Sequence, residues 1–170
     1  MTGRFHNRER TQGTQKEDSM NTDQMMALCD QVRETAYAIH QHHGNGYLEK
    51  VYENALVHRL RKSGLNVKQQ HQLIIYDDDG TEIGEYYADL LIENELIIEL
   101  KACKDTTHEH YAQLLHYLKG SKKEHGLLIN FGAYKFQIKK FAKTDQTNIL
   151  SRTSAMLPST IFAFLAFFRG

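Results

Sequence analysis

Cysteine, net charge and long apolar runs are what this 170-residue chain has least of. Its two cysteines, Cys29 and Cys103, form no metal or redox spacing and are too few for a disulfide scaffold. Basic and acidic residues balance at 21 each, so the global polycationic signature of nucleic-acid binding is missing. No segment reaches the ~18 apolar residues of a membrane span, and the first twenty residues lack the apolar core of a secretory signal. These absences point to a cytoplasmic protein. The length suits one ordinary domain with a sizeable core.

What is present is unevenly placed. Asp77, Asp78, Asp79, Glu82, Glu85, Asp89, Glu93, Glu95 and Glu99 fall in a stretch without Lys or Arg. Lys119, Lys122, Lys123, Lys135, Lys139, Lys140 and Lys143 follow, opposed only by Glu124. Such separation suits a cation at one place and a polyanion beside it, although solvated surface charge explains many of these residues singly.

Residues 1–21 are polar and aperiodic, which predicts a disordered extension. Met26, Cys29, Val32, Ala36 and Ile39 share one face of a helix over 22–43, ended by Gly44-Asn45-Gly46. Leu48, Val51, Tyr52, Ala55, Leu56 and Leu60 mark a second helix over 48–62. Strands are predicted at 67–76, 82–92 and 96–103, with the turn Asp77-Asp78-Asp79-Gly80 between the first two. A helix over 106–119, opened by a capping box of Thr106 and Glu109, precedes strands at 126–131 and 135–141. The domain is thus set at 22–143, with a tail over 144–170. The tail's apolar run, 161–168, leaves self-association open and is read as packing on the domain or on a second copy.

The segment "ADLLIENELIIELKA" (88–102) carries carboxylates among apolar neighbours. Period-two alternation puts Leu96, Ile98, Leu100 and Ala102 on one face and Ile97, Glu99, Lys101 and Cys103 on the other. Glu99 and Lys101 therefore point the same way, about 7 Å apart. A three-residue loop centred on Asn94 pairs Leu91 with Ile97 and Asp89 with Glu99. A two-residue loop would bury Asp89 against hydrocarbon. Carboxylates that close need a cation, from Lys101 in part or from a divalent metal. A solvated hairpin carrying a Glu–Lys pair fits the same pattern. Glu49 falls within the apolar stripe of the second helix, as does Arg59. On the later helix His110, Gln113 and Tyr117 line up opposite Tyr111, Leu114, Leu115 and Leu118, either as a solvated face or as hydrogen-bonding groups facing a site.

"GYLEKVY" (46–52) is a G-x-x-E-x-x-Y motif, followed by "ADLLIENELIIELKA", "AQLLHYL" (112–118) and "GLLINFG" (126–132). Over about residues 30–141 the chain resembles the GxxExxY family of the PD-(D/E)XK nuclease-like superfamily. That resemblance implies an α/β restriction-endonuclease-like core with a mixed sheet in the order α-β-β-β-α-β. An extra N-terminal helix and a C-terminal strand would flank it.

It further implies that Glu49, Asp89 and Glu99 hold Mg²⁺ or Mn²⁺. Lys101 would be the catalytic lysine, Gln113 a polar group near the site, and Tyr52 and Tyr117 lining residues. Ala88 stands where the family's usual proline precedes the aspartate. The implied function is metal-dependent hydrolysis of nucleic acid, with DNA expected ahead of RNA although the residues themselves do not decide between them. Lys119, Lys122, Lys123, Lys135, Lys139, Lys140 and Lys143 are the candidate phosphate contacts, with Arg59, Arg61 and Lys62 second. No helix-turn-helix or finger motif supplies base readout, so little sequence specificity is expected.

Two other readings stand beside this one. A nuclease fold can persist as a binding or regulatory module without turnover. Histidines at 40–43 and 108–110 suggest metal binding, but neither group has zinc-site spacing, and the first sits at a helix C-terminus, where the dipole favours histidine.

Overall fold

Helix α1 (Thr22–His43) begins where Asn21 and Gln24 bond reciprocally, each side chain accepting the other's backbone N–H at 2.9 Å. Its inward face is Met25, Leu28, Cys29, Val32, Ala36 and Ile39. Met25 rather than Met26 takes the first core position, and Met26 is 40% exposed. Helix α2 (Glu49–Lys62) is likewise rotated from expectation. It buries Tyr52, Glu53, Leu56, Val57 and Leu60, while Leu48 and Val51 face solvent. Gly64 closes it at φ +92°, a conformation that costs glycine little.

This computed structural model describes residues 20–142. The expected extension over residues 1–21, apart from its last two residues, the tail over 144–170 and Lys143 lie outside the described residues. Among the described residues no helix is long and apolar enough to cross a membrane.

Strands β1 (Val67–Tyr76), β2 (Glu82–Ile92), β3 (Leu96–Lys101), β4 (His125–Asn130) and β5 (Gln137–Ala142) form one mixed sheet in that spatial order. Neighbours are antiparallel except β3 and β4, which are joined by a crossover through α3 (His108–Ser121). The N-cap of α3 is Thr107, not Thr106, and its backbone N–H donates to His110 Nδ1 rather than to Glu109. Residues Leu96, Ile98 and Leu100 pack under α1 and α2, and Ile97 packs under α3. The alternation read for β3 is therefore real, with both faces covered.

The loop Glu93-Asn94-Glu95 gives the expected register, Leu91 opposite Ile97, with Glu93 and Asn94 at φ +50° and +56°. The ladder stops at Leu90–Ile98, however, one step before Asp89 and Glu99. The alternation of β1 and β2 breaks at the same level. Val67 and Leu73, an even number of residues apart, pack on opposite faces of the sheet, as do Ala88 and Leu90. Between them lie Gln70, at φ +47°, and Asp89.

Candidate active site

Glu99 sits in the central strand at 2% exposure. Its Oε1 accepts from Lys101 Nζ at 2.5 Å, and its Oε2 is buried with no hydrogen-bond partner among the described residues. The solvated Glu–Lys hairpin is thereby set aside. Burial first, then the nearby Asp89 charge, pushes the Glu99 carboxyl up to about 7 despite Lys101. Burial works to lower the Lys101 ammonium, but the bond to Glu99 and the charges of Glu99, Glu49 and Asp89 prevail, leaving it raised.

Asp89 turns out of the ladder. Its Oδ2 accepts the backbone N–H of Leu100 at 2.7 Å, taking the place of a strand carbonyl, and its Oδ1 lies 3.4 Å from Gln70 Nε2. Glu49, the first residue of α2, completes the group from the other side. Its carboxyl is raised by burial, drawn down by Lys101 and by the Ala102 backbone N–H, and raised by Asp89. Glu49, Asp89, Glu99 and Lys101 are thus brought into one electrostatic neighbourhood.

The acids do not collapse onto one point. Among the described residues, the three acids whose ligand atoms all lie within 4.8 Å of one another are Asp77, Asp78 and Asp79, exposed on the β1–β2 turn. Turn geometry accounts for that group, since Asp77 Oδ1 accepts from Asp78 N and Asp79 Oδ1 from Thr81 N.

The end of β3 is held by β4. Lys101 carbonyl accepts from Phe131 N at 2.7 Å, and buried Asn130 accepts from Cys103 N and Gly132 N at 3.1 Å each. The chains run so close that a Cβ on Gly132 would lie 2.3 Å from the Ala102 carbonyl carbon. Asn130 was not singled out from sequence, because an Asn inside an apolar strand gives no sign of what it bridges.

Gln113 Nε2 donates to Tyr117 Oη at 2.7 Å, and Tyr117 is buried in the α3-side core. Burial, then the charges of Glu99 and Asp89, raise its phenol, which puts Tyr117 within electrostatic reach of the acids. Gln113 is engaged with that hydroxyl, whereas His110 is used at the helix cap. Tyr52 does not line the site. It is 1% exposed, stacks on Phe131 at 4.7 Å, and bonds Gly44 carbonyl and Tyr47 N–H, fixing the turn ahead of Glu49.

Sequence reasoning also missed Glu53, at 3% exposure, whose Oε1 accepts from Lys50 at 2.6 Å and from Gln69 at 2.8 Å. Its signal was position, since it follows Tyr52 on the buried stripe and stands one helical turn from Glu49.

The expected phosphate contacts separate. Lys119, Lys122 and Lys135 are exposed. Lys123 lies 3.9 Å from Glu95, and Lys139 is drawn onto Tyr111. Lys140 corrects the expectation, because it is 9% exposed and directs Nζ at Met26 Sδ under α1. In the second basic set, Arg61 donates to Val67 carbonyl at 2.7 Å. Arg61 and Lys62 line a concavity of about 420 Å³ with Asn54, Val57, His58 and Gln69, beside Glu53 rather than over the acids.

A family model described as PD-(D/E)XK nuclease superfamily matches residues 26–141. No curated protein matches the chain. The crystal structure of SSO0001 is similar with a TM-score of 0.46 and 18% identity, covering 60% of this chain and 54% of that one. The chain thus spans only about half the length of that solved relative. With α2, the β1–β3 meander, α3 and β4 all inside the matched residues, the chain belongs to the PD-(D/E)XK nuclease superfamily.

Proposed function

We propose that this protein hydrolyses phosphodiester bonds of nucleic acid with a divalent cation, Mg²⁺ or Mn²⁺, held by Glu49, Asp89 and Glu99. Within the superfamily, the motif at 46–52 aligns it with GxxExxY proteins. The observation that carries the reading is Glu99 Oε2, a buried oxygen left without a partner while Lys101 takes Oε1. A carboxylate strained by burial and by neighbouring acids fits a hard dication, which relieves all of them at once.

A bound dication would activate water and polarise the phosphate. The chain's own groups do the rest. Lys101, released from Glu99, offers an ammonium to a non-bridging phosphate oxygen, where charge builds in the transition state. The Leu100 N–H holds the Asp89 carboxylate in a fixed direction, so its orientation is set before substrate arrives. Tyr117, supported by Gln113, closes the α3 side and limits the water that reaches Glu99.

Exposed Lys119, Lys122 and Lys135 supply sequence-blind phosphate contacts, with the Arg61 and Lys62 concavity as a further path. DNA in a cytoplasmic setting is the proposed substrate, cut with little sequence preference.

The test is a panel of labelled single- and double-stranded DNA and RNA incubated with Mg²⁺, Mn²⁺ or EDTA, with Glu99→Gln as control. Metal-dependent cleavage lost in the variant supports the reading, and no cleavage of any substrate overturns it. A binding module without turnover is favoured by one observation, the looser spacing of the three acids than of the Asp77–Asp79 turn. Nucleic-acid binding that ignores both metal and Glu99→Gln would establish that alternative.

A further inference from the structure

Gln69 and Gln70 are neighbours in β1, where regular alternation would send their side chains to opposite faces. Both nevertheless reach Glu53. Gln69 Nε2 donates to Glu53 Oε1 at 2.8 Å, and Gln70 Nε2 lies 3.4 Å from Glu53 Oε2. The left-handed backbone of Gln70, φ +47°, makes this possible. A non-glycine residue there is strained and persists only where its surroundings hold it.

The same amide nitrogen lies 3.4 Å from Asp89 Oδ1. An amide NH₂ has two hydrogens, one for each carboxylate. Glu53 is a firm anchor, because it is buried and Lys50 and Gln69 already fix its other oxygen.

We propose that Gln70 is a positioning residue for Asp89: it bridges the anchored Glu53 carboxylate to Asp89 and so aims Asp89 Oδ2 at the Leu100 N–H. The catalytic consequence rests on the nuclease reading above, and the positional one does not. A neutral donor suits this place. Lysine or arginine would steer Asp89 equally well but would cancel the negative charge that a dication needs. Glycine would relax the backbone and lose the bridge, so the strained glutamine is a local cost retained for geometry.

The test compares wild type, Gln70→Gly and Gln70→Ala, all without metal, by amide hydrogen exchange and thermal denaturation, followed by cleavage kinetics. Gln70→Gly should melt at the same temperature or higher, because glycine accepts the left-handed conformation. Its Leu100 amide should nevertheless exchange about tenfold faster or more, with the β3–β4 ladder unchanged. Its kcat should fall about tenfold or more while KM stays within about twofold. Gln70→Ala should reproduce the exchange and kcat effects at a lower melting temperature.

Wild-type protection of Leu100 in Gln70→Gly would overturn the proposal, whatever happens to cleavage. Faster Leu100 exchange with unchanged kcat would overturn its catalytic half. If Leu100 responds but the wild type cuts nothing, positioning stands and the nuclease reading falls.

Discussion

The carboxylate of Asp89 accepts the backbone N–H of Leu100 at 2.7 Å, at the level where the β2–β3 ladder has stopped. A side chain thus stands in for a strand carbonyl, and one acid is tied to the strand that carries Glu99 and Lys101. Asp89→Asn keeps an acceptor for Leu100 but loses a charge. Cleavage should fall by about 10² or more, with stability changed by only about 1 kcal/mol. Asp89→Ala should cost about 1–3 kcal/mol, since the Leu100 N–H is then left without its acceptor. Equal melting temperatures for the two variants would contradict this.

Glu99 makes stability depend on pH. Its carboxyl stands near 7 in the folded protein against an ordinary 4.5, so between those values the folded state binds the extra proton. Stability without metal should therefore fall as pH rises through that window, with the penalty complete above about pH 7. Its upper size is on the order of 3 kcal/mol. Burial raises Asp89 and Glu49 in the same direction. Thermal denaturation of metal-free protein from pH 5 to 8 should show the decline, and Glu99→Gln should flatten it. Added Mg²⁺ at pH 8 should raise the melting temperature of the wild type but not of Glu99→Gln. Parallel pH profiles for both proteins would count against it.

Lys101 holds Glu99 Oε1 at 2.5 Å and competes with a cation for that carboxylate. Lys101→Ala should abolish cleavage, by about 10²–10³, yet retain the metal-induced rise in melting temperature. Loss of the metal response together with cleavage would assign Lys101 a structural part instead.

The lysines divide into two groups with opposite expectations. Lys140→Met should leave stability unchanged or raise it by up to about 2 kcal/mol, because the ammonium is buried against Met26 with no carboxylate partner among the described residues. Nucleic-acid affinity should not change. Replacing Lys119, Lys122 and Lys135 together should weaken binding for all sequences and reduce the salt dependence by about one unit for each phosphate no longer neutralised. Titrations at several salt concentrations separate the two cases.

Much of this architecture was legible in the residues because period and turn chemistry agree. The end of α1 and the bounds of β1 and β2 follow from Gly44 and the Asp77–Gly80 turn, and the three-residue loop fixed the register of Leu91 on Ile97. Glu99 and Lys101 could be grouped because strand alternation carries over short distances, and Asp89 joined them through the register of the loop.

What alternation could not show was its own failure at Gln70 and Asp89. A positive φ in a glutamine leaves no mark in composition, so the Leu100 bond and the Glu53 anchor stayed hidden. The rotation of α2 had a similar cause. Tyr52 and Leu56 fit either of two stripes, and in the fold Glu53 turns inward onto Gln69 and Gln70 of β1 while Leu48 faces solvent. Lys139 and Lys140 read as one basic patch, although adjacent strand residues face opposite ways, Lys139 reaching Tyr111 of α3 and Lys140 reaching Met26 of α1.

The most direct measurement is anomalous diffraction from crystals soaked in Mn²⁺. The predicted result is a peak within coordinating distance of Glu99 Oε2 and Asp89, with Lys101 Nζ withdrawn from Oε1. A peak at Asp77–Asp79 alone, or none at all, would contradict a dication site on β2 and β3.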